Sequence, residues 1–464
     1  MLSAQPLRQR ERNGDPEAPL RRERHSDVGE SVDAQAAPPD GRATDPMTRA
    51  EDDDPTPPSD RPDPVRSHGA DDSVTGLGTV AVAIVAAILP VFLMGSLSVE
   101  IRNELRHGEA TAGLILASFF GASAVVSSRL GRWVDHVGPR AALSIALLGA
   151  ASVELLTAAG ARTSWTIAVL AACGGVCNAT AQLGANVFIA RDLPLRRQGI
   201  GFAIKQSAMP GASMVAGLTL PAVALTLGWR WAFAFGGVLT LGALVMVRRN
   251  LPPEVRRSGA DVESARHEDP PPRGALPALA VAAAFATAAA ITLGGFFVES
   301  AIDAGISAST AGLAFAAGSV ISIAARLGVG ALADRREGNL LGVVAVMIAL
   351  GAVMSILFTW RSPWVQFVGV PLAFGAGWAW PGLFNLSVVR AAPGFPGRAT
   401  GITQTGTYVG GAVGPILFGA IAENASYSSA WVLAALLGLA ASAAVLVGRA
   451  ILTGRAIVPN RSAG

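Results

Sequence analysis

The sequence predicts an all-α membrane protein in which twelve transmembrane helices form two pseudo-symmetric six-helix bundles. Three observations carry that expectation. Of the 464 residues, 51% are hydrophobic and 15% charged, and the mean hydropathy is +0.45. The charged residues are segregated from apolar runs long enough to cross a bilayer. Finally, Thr111-Ala112-Gly113-Leu114 returns as Thr310-Ala311-Gly312-Leu313, and the same offset of 199 carries Val99-Glu100 onto Val298-Glu299, Asp135 onto Asp334, Asn186 onto Asn385 and Arg191 onto Arg390. Matches at one fixed offset over nearly a hundred positions are the mark of an internal duplication. Duplicated helical halves in a membrane are a common construction of secondary transporters.

The runs fall near 75–98, 110–128, 141–159, 165–190, 200–222 and 231–247 in the first half. In the second they fall near 275–298, 311–332, 340–358, 364–389, 399–421 and 431–450. The domain organisation expected is a tail over 1–73, a bundle over 74–247, a linker over 248–274, a second bundle over 275–450 and a short tail over 451–464. Residues 1–73 hold 17 of the 33 acidic residues and 10 arginines, with many prolines and few aromatics. Such a segment buries too little apolar surface to offset its chain entropy, so disorder is expected there. The linker contains Pro270-Pro271-Pro272 and mixed charge.

Arginines sit mainly in alternate loops: Arg129, Arg132, Arg140, Arg196, Arg197, Arg248, Arg249, Arg335, Arg336 and Arg398 on one side, against Arg102, Arg106, Arg162, Arg230 and Arg361 on the other. Cytoplasmic loops are the arginine-rich ones, so both termini are expected in the cytoplasm and the protein in the cytoplasmic membrane. Cys173 and Cys177 stand four apart beside Gly174 and Gly175 and read as small packing residues, not metal ligands. The sole lysine, Lys205, is not part of a phosphate-binding loop, and no His-Glu-x-x-His pair exists. These absences point away from an enzyme and away from a cofactor.

Between the second and third runs stands Gly131-Arg132-Trp133-Val134-Asp135-His136-Val137-Gly138-Pro139-Arg140, and between the eighth and ninth Gly330-Ala331-Leu332-Ala333-Asp334-Arg335-Arg336. Both resemble the Gly-x-x-x-Asp-Arg-x-Gly-Arg-Arg loop of the major facilitator superfamily, and the resemblance extends over about residues 74–450. It implies the major facilitator fold and alternating access. It also implies a gate built from Gly131, Asp135, Arg140, Gly330, Asp334 and Arg335, in which each carboxylate meets arginines and the positive N-terminus of a neighbouring helix. The first copy departs from the family pattern at His136 and Pro139, the second at Glu337. A Gly410-x-x-x-Gly414-Pro415 stretch lies in the eleventh run, while the drug-proton antiporter signatures are missing from the fourth and fifth.

A charge within a span costs about 2.5 to 3.5 kcal/mol on insertion scales. Three occur here: Glu154, Lys205 and Arg326. Arg326 resembles the eighth-span arginine of monocarboxylate and related organic-anion carriers, which implies pairing with a substrate carboxylate; a bond within the gate is the other reading. Lys205 is expected to snorkel to the cytoplasmic surface and Glu154 to reach the interface. Glu100 and Glu299 read as interface anchors or proton sites.

Asn178, Gln182 and Asn186 recur at i, i+4 and i+8 and form one polar stripe, read either as helix-helix glue or as cavity lining. Trp378, Trp380, Asn385, Thr403, Gln404, Thr405 and Tyr408 add polar and aromatic groups on the tenth and eleventh runs. The expected substrate-binding set is therefore Arg326, Asn178, Gln182, Asn186, Trp378, Asn385 and Gln404. The function expected is secondary transport of a small organic anion, with drug or metabolite efflux and a non-transporting membrane sensor as alternatives. The expected partners are that small molecule, a coupling ion such as H+ and the lipid bilayer, with no metal and no nucleic acid.

Overall fold

A computed structural model describes residues 70–106, 109–253, 271–336, 338 and 340–454. The expected N-terminal tail as far as residue 69, the middle of the expected linker and residues 455–464 lie outside the described residues.

The first half comprises α1 (Ala70–Ser96), a short α2 (Ser98–Leu105), α3 (Glu109–Val137), α4 (Pro139–Gly160), α5 (Ser164–Asp192), α6 (Gln198–Thr219), α7 (Leu225–Leu227) and α8 (Trp229–Asn250). A π-helical turn, Leu220–Ala224, joins α6 to α7, so that one helical run spans Gln198 to Leu227. The second half comprises α9 (Ala275–Asp303), α10 (Ala308–Ala333), α11 (Leu341–Leu357), α12 (Pro363–Leu372), α13 (Pro381–Arg390), α14 (Pro396–Asn424) and α15 (Tyr427–Gly454). Between α12 and α13 the chain makes a π-helical turn, Ala373–Gly377.

Among the described residues, with α6 joined to α7, α12 to α13 and the short α2 set apart, the helices make twelve runs, six in each half. Among the described residues ten are long and apolar enough to cross a membrane, and Leu341–Leu357 is a shorter apolar helix. Their starts follow ordinary rules. Pro139, Pro363, Pro381 and Pro396 occupy the first turns of their helices, where the missing N–H is no loss. Thr163 and Ser307 cap α5 and α10 by accepting the N–H of Thr166 and of Thr310.

Two boundaries differ from the sequence expectation. α3 runs nine residues beyond the apolar run, through Gly131 and Asp135 to Val137, so the first Gly-x-x-x-Asp motif is helical. Polar side chains at a helix end stand in the headgroup region and do not break the backbone pattern. The tenth run is likewise not one helix, because the π-helical turn interrupts it just before Trp378.

The distribution of apolar cores sets the shape of the seam. Around the chain ends of α1, α8, α9 and α15 one core draws on both halves, uniting Phe188 and Phe202 with Leu383 and Phe384. At the opposite end each half keeps its own. Leu93, Phe119 and Phe233 belong to a core of the first half. Phe297, Phe374 and Trp431 belong to one of the second. The halves are thus fused at the end that carries Asn250 and Ala275, and separately packed at the other.

Candidate functional site at the seam

Asp135 lies near the end of α3 and reaches the first turn of α14 in the other half. Its Oδ1 accepts the Gly397 N–H at 3.0 Å and its Oδ2 the Arg398 N–H at 2.7 Å. Those N–H groups have no partner within their own helix, because they belong to its first turn. A carboxylate there satisfies two donors and meets the positive end of the helix dipole. Asp334, at the end of α10, does the same to α6: it accepts the Gly199 N–H at 2.5 Å and the Ile200 N–H at 2.9 Å. Each half therefore caps a helix of the other.

The glycines explain how the helices come so near. A Cβ on Gly131 would lie 2.2 Å from the carbonyl oxygen of Gly397, and one on Gly330 would lie 2.6 Å from that of Gly199. No side chain fits at either crossing. Glycine is needed for backbone to meet backbone, which places the N–H groups within reach of the aspartates.

The two latches are not identical. Arg191 of α5 pairs with Asp135 at 2.8 Å and donates to its carbonyl as well. Arg390, its repeat mate, donates to the carbonyl oxygens of Arg336 at 3.2 Å and Leu195 at 3.5 Å. Burial holds the Asp334 carboxyl above the usual carboxylate range, against the lowering by the Ile200 and Gly199 N–H groups and by the nearby Arg390 charge. Arg140 joins α4 to α8 by donating to the Arg248 carbonyl at 2.6 Å, and Arg335 is exposed.

Above the latches lie the two buried cations. Arg326 on α10 is 5% exposed. It donates to the Gln206 carbonyl of α6 at 3.0 Å and to the Trp378 carbonyl at 2.8 Å, and its guanidinium sits 5.5 Å from the Trp378 ring centroid. Trp378 directly follows the π-helical turn, whose altered hydrogen-bond pattern leaves its carbonyl available to the arginine. Arg326 Nε has no partner.

Lys205 does not snorkel. It is fully buried, and its Nζ donates to Asn186 Oδ1 at 2.9 Å. The expectation failed because α6 lies along the seam, walled in by α5, α10 and α13, so no path leads its side chain to the surface. Glu154 is also fully buried: a Cβ on Gly236 would lie 2.9 Å from its Oε1 and 3.0 Å from Leu93. It was expected to reach the interface, but this face of α4 packs on α8.

Of the polar stripe, Asn178 donates to the Tyr408 hydroxyl across the seam at 3.4 Å. Asn178 Oδ1 and Asn186 Nδ2 are left without partners. Gln182, Asn385 and Gln404 are buried, and Trp378 is half-buried. The structure therefore brings Arg326 and Trp378 together, and Asn186 with Lys205.

Among the described residues, the ion pairs at the far end stay within each half. Glu104 accepts the Trp229 indole N–H at 2.6 Å and pairs with Arg230, which donates to the Ala161 carbonyl at 2.8 Å. The Arg230 hydrogen bond leads the effects that hold the Glu104 carboxyl below its usual range. In the second half Arg361 pairs with Asp303 at 2.9 Å, and the Tyr427 hydroxyl donates to Glu299 at 3.1 Å. Neither brace crosses the seam.

Sequence reasoning did not place Gly199, Gly397, Arg191 or Arg390 in the gate. Arg191 and Arg390 were visible as repeat partners. The two glycines are needed for the close approach, since a Cβ on Gly199 would lie 2.3 Å from the Gly330 oxygen and one on Gly397 2.6 Å from the Gly131 oxygen, but nothing in their sequence surroundings names those partners.

Comparison with known proteins agrees with this architecture. The curated Tetracycline resistance protein, class D, of Salmonella ordonez is 24% identical over 389 residues, covering 81% of this chain and 95% of that protein. Among solved structures, the human organic anion transporter MFSD10 (TETRAN) superposes with a TM-score of 0.61 at 19% identity, covering 81% of this chain and 98% of its own. The proton:xylose symporter XylE, bound to 6-bromo-6-deoxy-D-glucose, gives 0.65 at 14% identity, covering 80% and 95%. At such identities the likeness is one of fold. The family model of the Major Facilitator Superfamily matches residues 74–414 and 279–456, and with twelve helical runs in two latched halves the chain belongs to that superfamily of membrane transporters.

Proposed function

We propose that the protein is a secondary active carrier of a small organic anion, working by alternating access in the cytoplasmic membrane. The observation that carries this reading is Arg326, a guanidinium buried on the seam with no carboxylate partner among the described residues. Carbonyl dipoles from both halves hold it now, and they compensate a full charge only partly. A substrate carboxylate reaching its free Nε would compensate it better and would loosen its bond to Gln206. Substrate binding and release of the seam are then one event.

In this reading the latched end is the cytoplasmic one, so the described form, with both latches made, is closed toward the cytoplasm. Both termini then face the cytoplasm, in keeping with the loop arginines. Opening inward requires both latches to break, while the braces at Glu104 and Asp303 hold each half rigid as it rocks. H+ is the coupling ion we propose for this cycle, by analogy with the proton:xylose symporter whose fold the chain shares.

The test is made on purified Arg326 variants, measuring anion affinity and thermal stability together. Arg326→Lys keeps the charge but loses the planar fork and weakens binding; Arg326→Gln nearly eliminates it. Unchanged affinity in folded Arg326→Gln protein overturns the reading. Efflux of apolar compounds is the second reading, favoured by a cavity of about 240 Å³ lined by Met94, Ile101, Ile115, Leu116 and Ile167. Binding of neutral apolar compounds, with no anion bound, would support it.

A further inference from the structure

Two unpaired cations, not one, stand at the same stretch of α6. The carbonyl that receives Arg326 belongs to Gln206, the residue directly after Lys205. Counting 1.5 Å per residue, Lys205 lies about 8 Å along its helix from the Asp334 latch, and Arg326 about 12 Å along its own. Neither makes an ion pair among the described residues. The nearest part of the first half offers Lys205 only the neutral Asn186 Oδ1. No carboxylate is a hydrogen-bond partner of either side chain, and those of the latches, the outer braces and the α4–α8 crossing are placed elsewhere: Asp135 and Asp334 in the latches, Glu104, Glu299 and Asp303 in the braces, Glu154 against Gly236 and Leu93.

We propose that Lys205 and Arg326 form one site for a dianion, so that the cargo is a small dicarboxylate. This rests on the reading above that Arg326 receives an anion, and it adds the charge that the anion carries. A monoanion on Arg326 would leave Lys205 either an unpaired ammonium in the apolar interior or a deprotonated amine that attracts no anion, whereas a second carboxylate holds it charged. A dianion leaves neither unpaired. The donors needed are present: Arg326 Nε has no partner, Lys205 uses one of three N–H groups on Asn186, and Asn186 Nδ2 is unpartnered. The two cations also suit different ends of such a molecule. A planar fork grips one carboxylate with fixed geometry, and an ammonium accepts the other from a range of directions. Trp378, under the guanidinium, gives the carbon skeleton an apolar wall.

The experiment measures binding of butanoate, butanedioate and pentanedioate to the purified full-length protein, with sulfate as a dianion of different shape. The expected result is that a dicarboxylate binds at least about tenfold tighter than butanoate, and tighter than sulfate. Lys205→Gln brings the dicarboxylate-to-monocarboxylate ratio to about one, and Lys205→Arg, which keeps the charge, restores a preference. Equal binding of butanoate and butanedioate to the parent protein overturns the proposal, as does a ratio unmoved by Lys205→Gln. The parent comparison decides by itself if a variant fails to fold. Carboxylates that bind without a dianion preference leave the organic-anion reading standing and remove only this inference. Neutral apolar compounds that bind where no carboxylate does remove both.

Discussion

Arg191 holds Asp135 at 2.8 Å, while Arg390, 199 residues on, leaves Asp334 to backbone donors and grips carbonyl oxygens. The duplication thus preserved two latches but wired them differently. In the first, the capping carboxylate is also half of an ion pair with its own bundle. In the second, the carboxylate is more buried than neutralised, and its charged form is the less favourable for it.

The first prediction compares the two aspartates. Asp135→Asn loses an ion pair and one of two charge-assisted bonds, each worth about 1.5 to 3 kcal/mol, so the closed state should lose population by tenfold or more. Insertion into the membrane is unaffected. Accessibility of a single introduced cysteine beside Gly397, in protein lacking Cys173 and Cys177, reads the change; labelling equal to that of the parent would refute the latch.

Asp334 carries the pH dependence. Its carboxyl in the closed state titrates above the usual range, so the closed state binds that proton more tightly than an open state in which the carboxyl is solvated. The cost of the charged form is fully present above the raised value and is lost as pH falls toward the ordinary carboxylate range. Acidifying the face that carries the latches should therefore favour closure through Asp334, and Asp334→Asn should abolish that response. The same labelling, taken between pH 7.5 and 4.5 with and without the substitution, checks the sign; a shift toward opening at low pH in the parent alone would reverse it.

The glycine crossings yield a prediction of steric origin. Gly131→Ala puts a methyl group 2.2 Å from the Gly397 oxygen, which the backbones must part to admit. Overpacking of this kind costs about 1 to 3 kcal/mol, and here all of it falls on the closed state. Gly131→Ala and Gly330→Ala should each favour the open state about 5- to 150-fold, with thermal stability in detergent nearly unchanged. Loss of stability with no change in labelling would show that the contact survives opening.

How much of this was legible beforehand depends on which atoms carry the contact. The repeat offset and the Gly-x-x-x-Asp spacing pointed to a pair of equivalent carboxylates, and the hydropathy runs to the helices that bear them. The partners of those carboxylates were invisible, because the N–H groups of Gly199, Ile200, Gly397 and Arg398 are backbone atoms, and which helix would bring its first turn against each aspartate is set by packing. Burial was misjudged for the same kind of reason. The depth of Lys205 and Glu154 was read from position along a helix, yet the outcome was set by which neighbour covers that face. The break before Trp378 was hidden in the hydropathy, since Ala373–Gly377 is apolar and continuous with the run around it, although Pro371, Gly375 and Gly377 are the residue types that interrupt a helix.

Glu154 supplies the last prediction. Its carboxyl is fully buried between α4 and α8, and neither oxygen meets the distance and angle of a hydrogen bond. Thr240 nearby is buried with an unpartnered hydroxyl as well. Such a site gains nothing from a negative charge, because desolvation is not offset by any cation. Glu154→Gln keeps the shape and removes the ionisable group, so thermal stability should hold or rise. Glu154→Ala removes volume from a packed helix crossing and should cost about 2 kcal/mol or more, since the cavity term adds to the lost contacts. Transport separates a structural carboxyl from a working one: a Glu154→Gln protein of parental stability that has lost transport would make this residue part of the transport machinery. Uptake unchanged in Glu154→Gln, with stability lost only in Glu154→Ala, is the expected outcome, and it leaves the seam as the place where charge matters to the cycle.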